Sequence, residues 1–263
     1  MPNPIHVYAI CYNEAELLPH WLSHYGRIAD SITVLDDGST DGSADILRAA
    51  GVEVIDGPFG EPQGEGATAF ARRVEPELWS LLNERAFADD ERQTIAVVVD
   101  IDEFLVERGD WRPERMRERL RTMPADCIVV PEGWNMYAEE WVGQAGYGGY
   151  GDGSPAARMA CLGEPAYGFC KLSILPLWVW PLLACNYGRH FFTVDPNAQD
   201  SVRVVRDQPV LLLHMQQLGD LRLIRQRGRG ERSGSDAVAD DLTRWSQSEA
   251  ARIRTNPLLR GLI

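Results

Sequence analysis

The sequence predicts an α/β fold, with a mainly parallel central sheet and helices on both faces. Three observations carry this. Short β-branched runs alternate with amphipathic runs along the first hundred residues, the pattern of strand–helix–strand units. Val97-Val98-Val99 is apolar without alternation, as in strands covered on both faces. Polar and acidic residues collect where strands end, at Asn13-Glu14, Asp36-Asp37 and Asp100-Ile101-Asp102-Glu103. The carboxyl ends of strands are where open α/β sheets bind ligands.

Taken in order, residues 5–11 (IHVYAIC) read as a first strand. A helix is expected over residues 14–25, because Leu17, Leu18, Trp21, Leu22 and Tyr25 recur at helical spacing. Asn13 and Glu14 stand at the strand-to-helix junction, where Asn13 serves either as a cap or as a ligand contact. Residues 31–35 form a second strand. The following Gly, Ser and Asp residues supply turn and capping chemistry for a helix over 44–50. Asp36 ends the strand and points into the same crevice as Asn13. A short strand at 52–55 leads through a Gly- and Pro-rich loop to a helix over 68–87, whose apolar face is Phe70, Val74, Leu78 and Leu81. Of Arg72 and Arg73 near its start, one faces solvent and the other reaches a phosphate or base. The strand 95–100 then delivers Asp100 and Asp102. Two residues apart, they share one side while the chain stays extended.

Residues 113–121 read as a charged, solvated helix and 127–130 as a strand. Between Glu132 and Phe169, aromatic residues interleave with glycines from Gly143 to Gly153. Long irregular stretches in compact domains are usually functional, and aromatic faces suit stacking on a sugar ring. A surface loop with a few core anchors would look the same. Strands are expected at 171–175, 202–205 and 210–213, the last ending at His214. Arg222, Arg225, Arg227, Arg229 and Arg232 form either a solvated tail or a cover for an anionic ligand. A helix closes the chain over 240–254. The expected organisation is a single domain over 1–263, with a nucleotide-binding half (1–110) and an acceptor-binding half (111–263).

Composition is that of a globular protein, 44% hydrophobic and 25% charged over 263 residues. A net charge of −13 argues against a nucleic-acid partner. The five cysteines are odd in number and form no Cys-x-x-Cys pair, which suits reduced thiols in the cytoplasm. The N-terminal stretch lacks a basic region before its apolar run, so no signal peptide is expected. The longest apolar run, 174–185, contains two prolines and falls short of the roughly 20 residues of a bilayer span. Contact with a membrane surface stays open.

Paired hard oxygen ligands at the end of a buried strand suit Mg²⁺ or Mn²⁺ carrying a diphosphate. The ordered set Cys11-Tyr12-Asn13-Glu14, Trp21 with His24-Tyr25, the run Asp36 to Ser43 (DDGSTDGS), and Asp100-Ile101-Asp102-Glu103-Phe104 resembles the nucleotide-sugar-dependent glycosyltransferases of GT-A (Rossmann-like) fold. Family 2 is the nearest broad match. The Asp-x-Asp-Glu-Phe form, Lys171 and Gly188-Arg189-His190 look more like its subgroup akin to family 92. The resemblance implies that Asn13 and Glu14 border the nucleoside and that Asp36 or Asp37 holds uracil or ribose. It places Arg72 and Lys171 at basic positions of the donor site. Asp100 and Asp102 would contact ribose and the metal–diphosphate, with His190 as third metal ligand and His214 in reserve. The Glu-Asp pair that supplies the base in many inverting members is missing; Glu132, Asp152 and Glu164 are single candidates.

The expected activity is therefore metal-dependent transfer of a sugar, from UDP most readily, to a hydroxyl on a glycan, glycolipid or small molecule. Two alternatives stand beside it. One is an inactive glycan- or nucleotide-binding relative. The other is a phosphatase of the haloacid dehalogenase type, which would use Asp100 and Asp102 differently.

Overall fold

A computed structural model of the chain describes residues 2–59, 67–89, 92–138, 162–166, 170–218 and 260–261. In chain order the elements are β1 (Ile5–Cys11), α1 (Leu18–Ile28), β2 (Ser31–Asp36), α2 (Ser43–Ala49), β3 (Glu53–Asp56), α3 (Ala67–Ala88) and β4 (Ile95–Val98). They continue with β5 (Glu103–Glu107), α4 (Pro113–Arg121), β6 (Cys127–Ala138), β7 (Leu162–Pro165) and β8 (Ile174–Pro176). After a 3₁₀ helix (Leu177–Leu182) come β9 (Leu183–Cys185), β10 (Phe192–Val194), β11 (Arg203–Leu218) and β12 (Arg260–Gly261).

β1 lies between β2 and β4, and β3 flanks β2; all four run parallel. β8 joins β4 antiparallel and touches β6. β11 runs parallel to β6 and antiparallel to β5. Parallel pairing predominates in this mixed sheet, as expected. Strand periodicity explains the two cores. Ile5, Val7, Ala9 and Cys11 of β1 face Trp21 and Tyr25 of α1, Leu47 of α2 and Met116 and Leu120 of α4. Tyr8 and Ile10 face Val74, Leu78 and Leu82 of α3. The valine run splits the same way, Val97 and Val99 to one core and Val98 to the other. Helices thus cover both faces.

Several expectations shift. The first helix starts at Leu18, with Pro19 in its first turn, and continues to Ile28. Asn13 has φ +53° and does not cap it. β4 ends at Val98, before Asp100, so the two aspartates sit in a turn rather than on an extended strand. β5 was not expected; Glu103 to Glu107 pair with β11. The 127–130 strand runs on to Ala138, and the strands expected at 202–205 and 210–213 are one strand with a register shift between Asp207 and Leu211. The apolar stretch after Leu177 is a 3₁₀ helix. The glycine–aromatic run 139–161, the arginine cluster and the 240–254 helix lie outside the described residues.

Candidate active site at the carboxyl ends of the strands

Two loops form one wall. Asn13 donates its N–H to Ser39 Oγ (2.9 Å) and accepts from Thr40 N–H at Oδ1 (2.8 Å). The Glu14 N–H donates to Ser43 Oγ (2.9 Å). Asp36 accepts from Ser39 N–H (2.9 Å) and Oγ–H (2.6 Å). The two motifs after β1 and β2 are therefore one hydrogen-bonded unit. Asp37 is fully buried, accepts from Phe59 N–H (3.1 Å) and is ion-paired to Arg73. Of the two arginines, Arg73 turns inward and Arg72 is exposed. Gly57 closes this wall: its N–H donates to Asp36 O (2.7 Å), and a Cβ there would lie 2.9 Å from that oxygen.

The turn after β4 forms the opposite wall. Asp100 Oδ2 is 2.7 Å from Lys171 Nζ, and Oδ1 is 3.3 Å from Arg189 Nη2. Lys171 Nζ also lies 2.6 Å from Glu103 Oε1, while Glu103 Oε2 accepts from Asp100 N–H (2.9 Å). Arg189 is 1% exposed and reaches Glu75 Oε1 at 3.5 Å. Glu75, on α3, accepts from Gly188 N–H (2.9 Å). Asp102 turns the other way, its Oδ2 3.4 Å from Nε2 of buried His214. The side chains of Asp100 and Asp102 therefore diverge, one to two cations and one to a histidine. The backbone of this turn is held from α1. The Tyr25 hydroxyl donates to Glu103 O and accepts from Leu105 N–H (3.0 Å each), and His24 Nε2 donates to Leu105 O (2.9 Å).

Three carboxyl groups (Glu75, Asp100 and Glu103) thus meet two permanent cations, with Asp102 next to them on His214. Burial pushes the Asp100 carboxyl up, but Lys171 and Arg189 together hold it below the usual range. Burial and the neighbouring aspartates push Glu103 up despite Lys171. Burial also raises Glu75, against the pull of Arg189. Lys171 and Arg189 are raised: burial works against their charge and the carboxylates outweigh it. His190 is lowered by burial, Lys171 and Arg189, so it is neutral at pH 7.

Among the described residues, no three His, Cys, Asp or Glu side chains are arranged to hold a metal. Asp102 Oδ2 and His214 Nε2, 3.4 Å apart, stand at the separation of neighbouring ligands on one ion. His190 belongs instead to the turn beside Lys171 and Arg189. Mg²⁺ is commonly held by one or two carboxylates plus substrate phosphates; Asp102 fits that mode, while the His214 imidazole suits a transition-metal ion better than Mg²⁺. Glu132, on β6, accepts from Trp134 Nε1 (2.9 Å) and pairs with Arg108 (3.0 Å). Asp152 and the side chain of Glu164 lie outside the described residues. Glu75 escaped the sequence reading of roles, because Gly188 and Arg189 reach it from far along the chain; the inward arginine, Arg73, meets the carboxylate of Asp37 rather than the expected phosphate or base. Arg189 was visible only through its place beside His190.

Fold and site together define an α/β protein with a cluster of charged side chains at the carboxyl ends of its parallel strands. No protein-family model matches the sequence, and no curated protein does. Among solved structures, the chain is similar to glucosyl-3-phosphoglycerate synthase from Mycobacterium tuberculosis, solved with Mn²⁺, UDP and glucosyl-3-phosphoglycerate. Identity is 22% over 50% of this chain and 44% of that one, with a TM-score of 0.31. The same enzyme with Mn²⁺, UDP-glucose and phosphoglyceric acid gives 22%, 50%, 44% and 0.32. A structure described only as a mycobacterial protein gives 22%, 51%, 41% and 0.32. The match spans less than half the length of these solved chains.

Proposed function

We propose that the chain is a metal-dependent glycosyltransferase of the GT-A class that uses a nucleotide-sugar, UDP-linked in the first instance. The observation that carries this reading is that the three strand-end motifs follow β1, β2 and β4, adjacent parallel strands, and so gather at one end of the sheet, where the chain crosses from β2 on one side of β1 to β4 on the other. The donor nucleoside lies between Asn13 and the Asp36–Asp37 loop. Arg73 and Ser39 keep those carboxylates fixed, so the loop is preorganised before the nucleotide arrives. Asp102 and His214 hold the divalent ion, whose chemistry is to neutralise the diphosphate as leaving group. The excess of carboxylates over cations at this wall supports a divalent partner there. Lys171 and Arg189 keep Asp100 ionised and fixed at the edge of the donor site.

In the transfer, the acceptor oxygen bonds to the anomeric carbon, the bond to the diphosphate oxygen breaks, and the nucleoside diphosphate leaves with the electron pair. If the reaction inverts, a carboxylate on the acceptor side takes the hydroxyl proton; Glu132 and Asp152 are the candidates. The acceptor-binding half is residues 111–263, and the two halves form one domain.

A thermal-shift screen with Mn²⁺ and UDP-, GDP- and dTDP-sugars tests this. Ligand at 100 times its dissociation constant adds about 2.7 kcal/mol. A Mn²⁺-dependent shift with one nucleotide class is expected, at least tenfold weaker in affinity for Asp102→Asn. The absence of any nucleotide shift would defeat the reading.

A further inference from the structure

The β9–β10 hairpin, the 3₁₀ turn Pro196–Ser201 and the start of β11 enclose an open groove of about 430 Å³. Its volume falls within the roughly 300–1,000 Å³ of small-molecule sites. One end is His190, next in the chain to Arg189, whose Nη2 lies 3.3 Å from Asp100 Oδ1. That end of the groove therefore adjoins the charged turn after β4. Its lining is mixed. Phe191 presents an aromatic face, 77% exposed, and Val204 an aliphatic one; Thr193 offers a hydroxyl, Gln199 an amide and Arg206 a guanidinium. Strand alternation on β11 puts Val204 and Arg206 on the same face.

Arg206 stands out from its neighbour Arg203, which is held by Asp126 (2.8 and 2.9 Å). Arg206 is exposed and has no carboxylate partner among the described residues. A planar guanidinium at the side of an amphipathic groove matches a carboxylate or phosphate.

We propose that this groove is the acceptor subsite, and that it takes a hydroxyl compound bearing one carboxylate or phosphate. The anionic group sits on Arg206, the apolar face of the compound lies on Phe191, and the reacting hydroxyl points to the His190 end. This rests on the transferase reading above and names the substrate class for it.

Ligand-observed NMR on the full chain with Mn²⁺, with and without UDP, tests the assignment with glucose 6-phosphate, glucuronate and glucose as probes. At least one anionic probe binds about tenfold tighter than glucose, and Arg206→Gln removes that difference. Preference for one anionic probe over the other identifies phosphate ester or carboxylate as the source. Phe191→Ala, at an exposed position, weakens all three. Equal binding of the three probes, or an anion preference that survives Arg206→Gln, overturns the proposal. UDP titrated into the same samples separates the two readings. If UDP binds and the Arg206-dependent preference is missing, the acceptor assignment alone fails. If the anionic probes bind and UDP does not, the transferase reading fails and takes the acceptor role with it.

Discussion

His24 is wholly buried, with its Nε2–H on the Leu105 carbonyl, and burial pulls its pKa to about 4. Free histidine titrates near 6.5. Between those values the unfolded chain takes up a proton that the folded chain refuses, so stability falls as pH drops through the window from 6.5 to 4. At pH 5 the loss from this residue is about 2 kcal/mol relative to pH 7. His6 acts in the same direction: burial, then Arg85, lowers it to about 4 against Glu53. Denaturant melts at pH 7 and pH 5 should show His24→Gln losing about 2 kcal/mol less than the parent; equal losses would refute the assignment. Groups common to both proteins cancel in that comparison. Gly188 makes a second residue-scale case. Its φ is +82°, and a Cβ would lie 2.8 Å from His190 Cδ2. Gly188→Ala should cost on the order of 1–2 kcal/mol and shift the His190 ring resonances. An unchanged His190 signal would show that the turn absorbs the methyl. Asp36, Asp100 and Asp102 were legible because acids at strand ends are a local pattern. The partners of Asp100 were less so: Lys171 and Arg189 arrive from 71 and 89 residues along the chain, and no local spacing links them to it.

β5 shows how one element is finished by another. One edge pairs with β11. On the other side, the Tyr25 hydroxyl bridges Glu103 O and Leu105 N–H, and His24 takes Leu105 O. The helix thereby supplies the hydrogen bonds that a further strand would have made, and holds the backbone next to Asp102. Tyr25→Phe leaves two buried backbone groups unsatisfied at about 1–3 kcal/mol each. A stability loss of about 2–6 kcal/mol is expected in urea melts, with amide exchange at Leu105 accelerating; a loss below about 1 kcal/mol would show that other groups satisfy the edge. The strands β1 to β4 and all four described α-helices were foreseeable within a few residues, but α4, expected as a solvated helix, buries Met116 and Leu120 in the core. β5 was not, because Glu103-Phe104-Leu105 is too short to show a period and its pairing comes from a strand about a hundred residues later. α1 began late because Pro19 favours a first helical turn, which set the boundary closer than the apolar spacing did.

At the scale of the molecule, the sheet couples the two halves. β4 has β1 on one edge and β8 on the other, while β5 depends on β11. A fragment of residues 1–110 would expose the β4 edge and leave β5 without its strand partner. It should lack a cooperative melt by circular dichroism, whereas the full chain melts as one unit; a cooperative melt of the fragment would show that the first half folds alone. The same coupling builds the site, since one wall comes from the first half and Lys171, Arg189 and His214 from the second. The sequence by itself determined the α/β class, the alternation of the two cores and the acids at the strand ends, because each depends on near neighbours and periodicity. Only the tertiary structure decided that Asp100 meets two buried cations, that His214 stands beside Asp102, and that His190 ends a groove reaching Arg206. Those contacts join residues far apart in the chain, and which of them form is set by how strands β8 to β11 return against β4, β5 and β6.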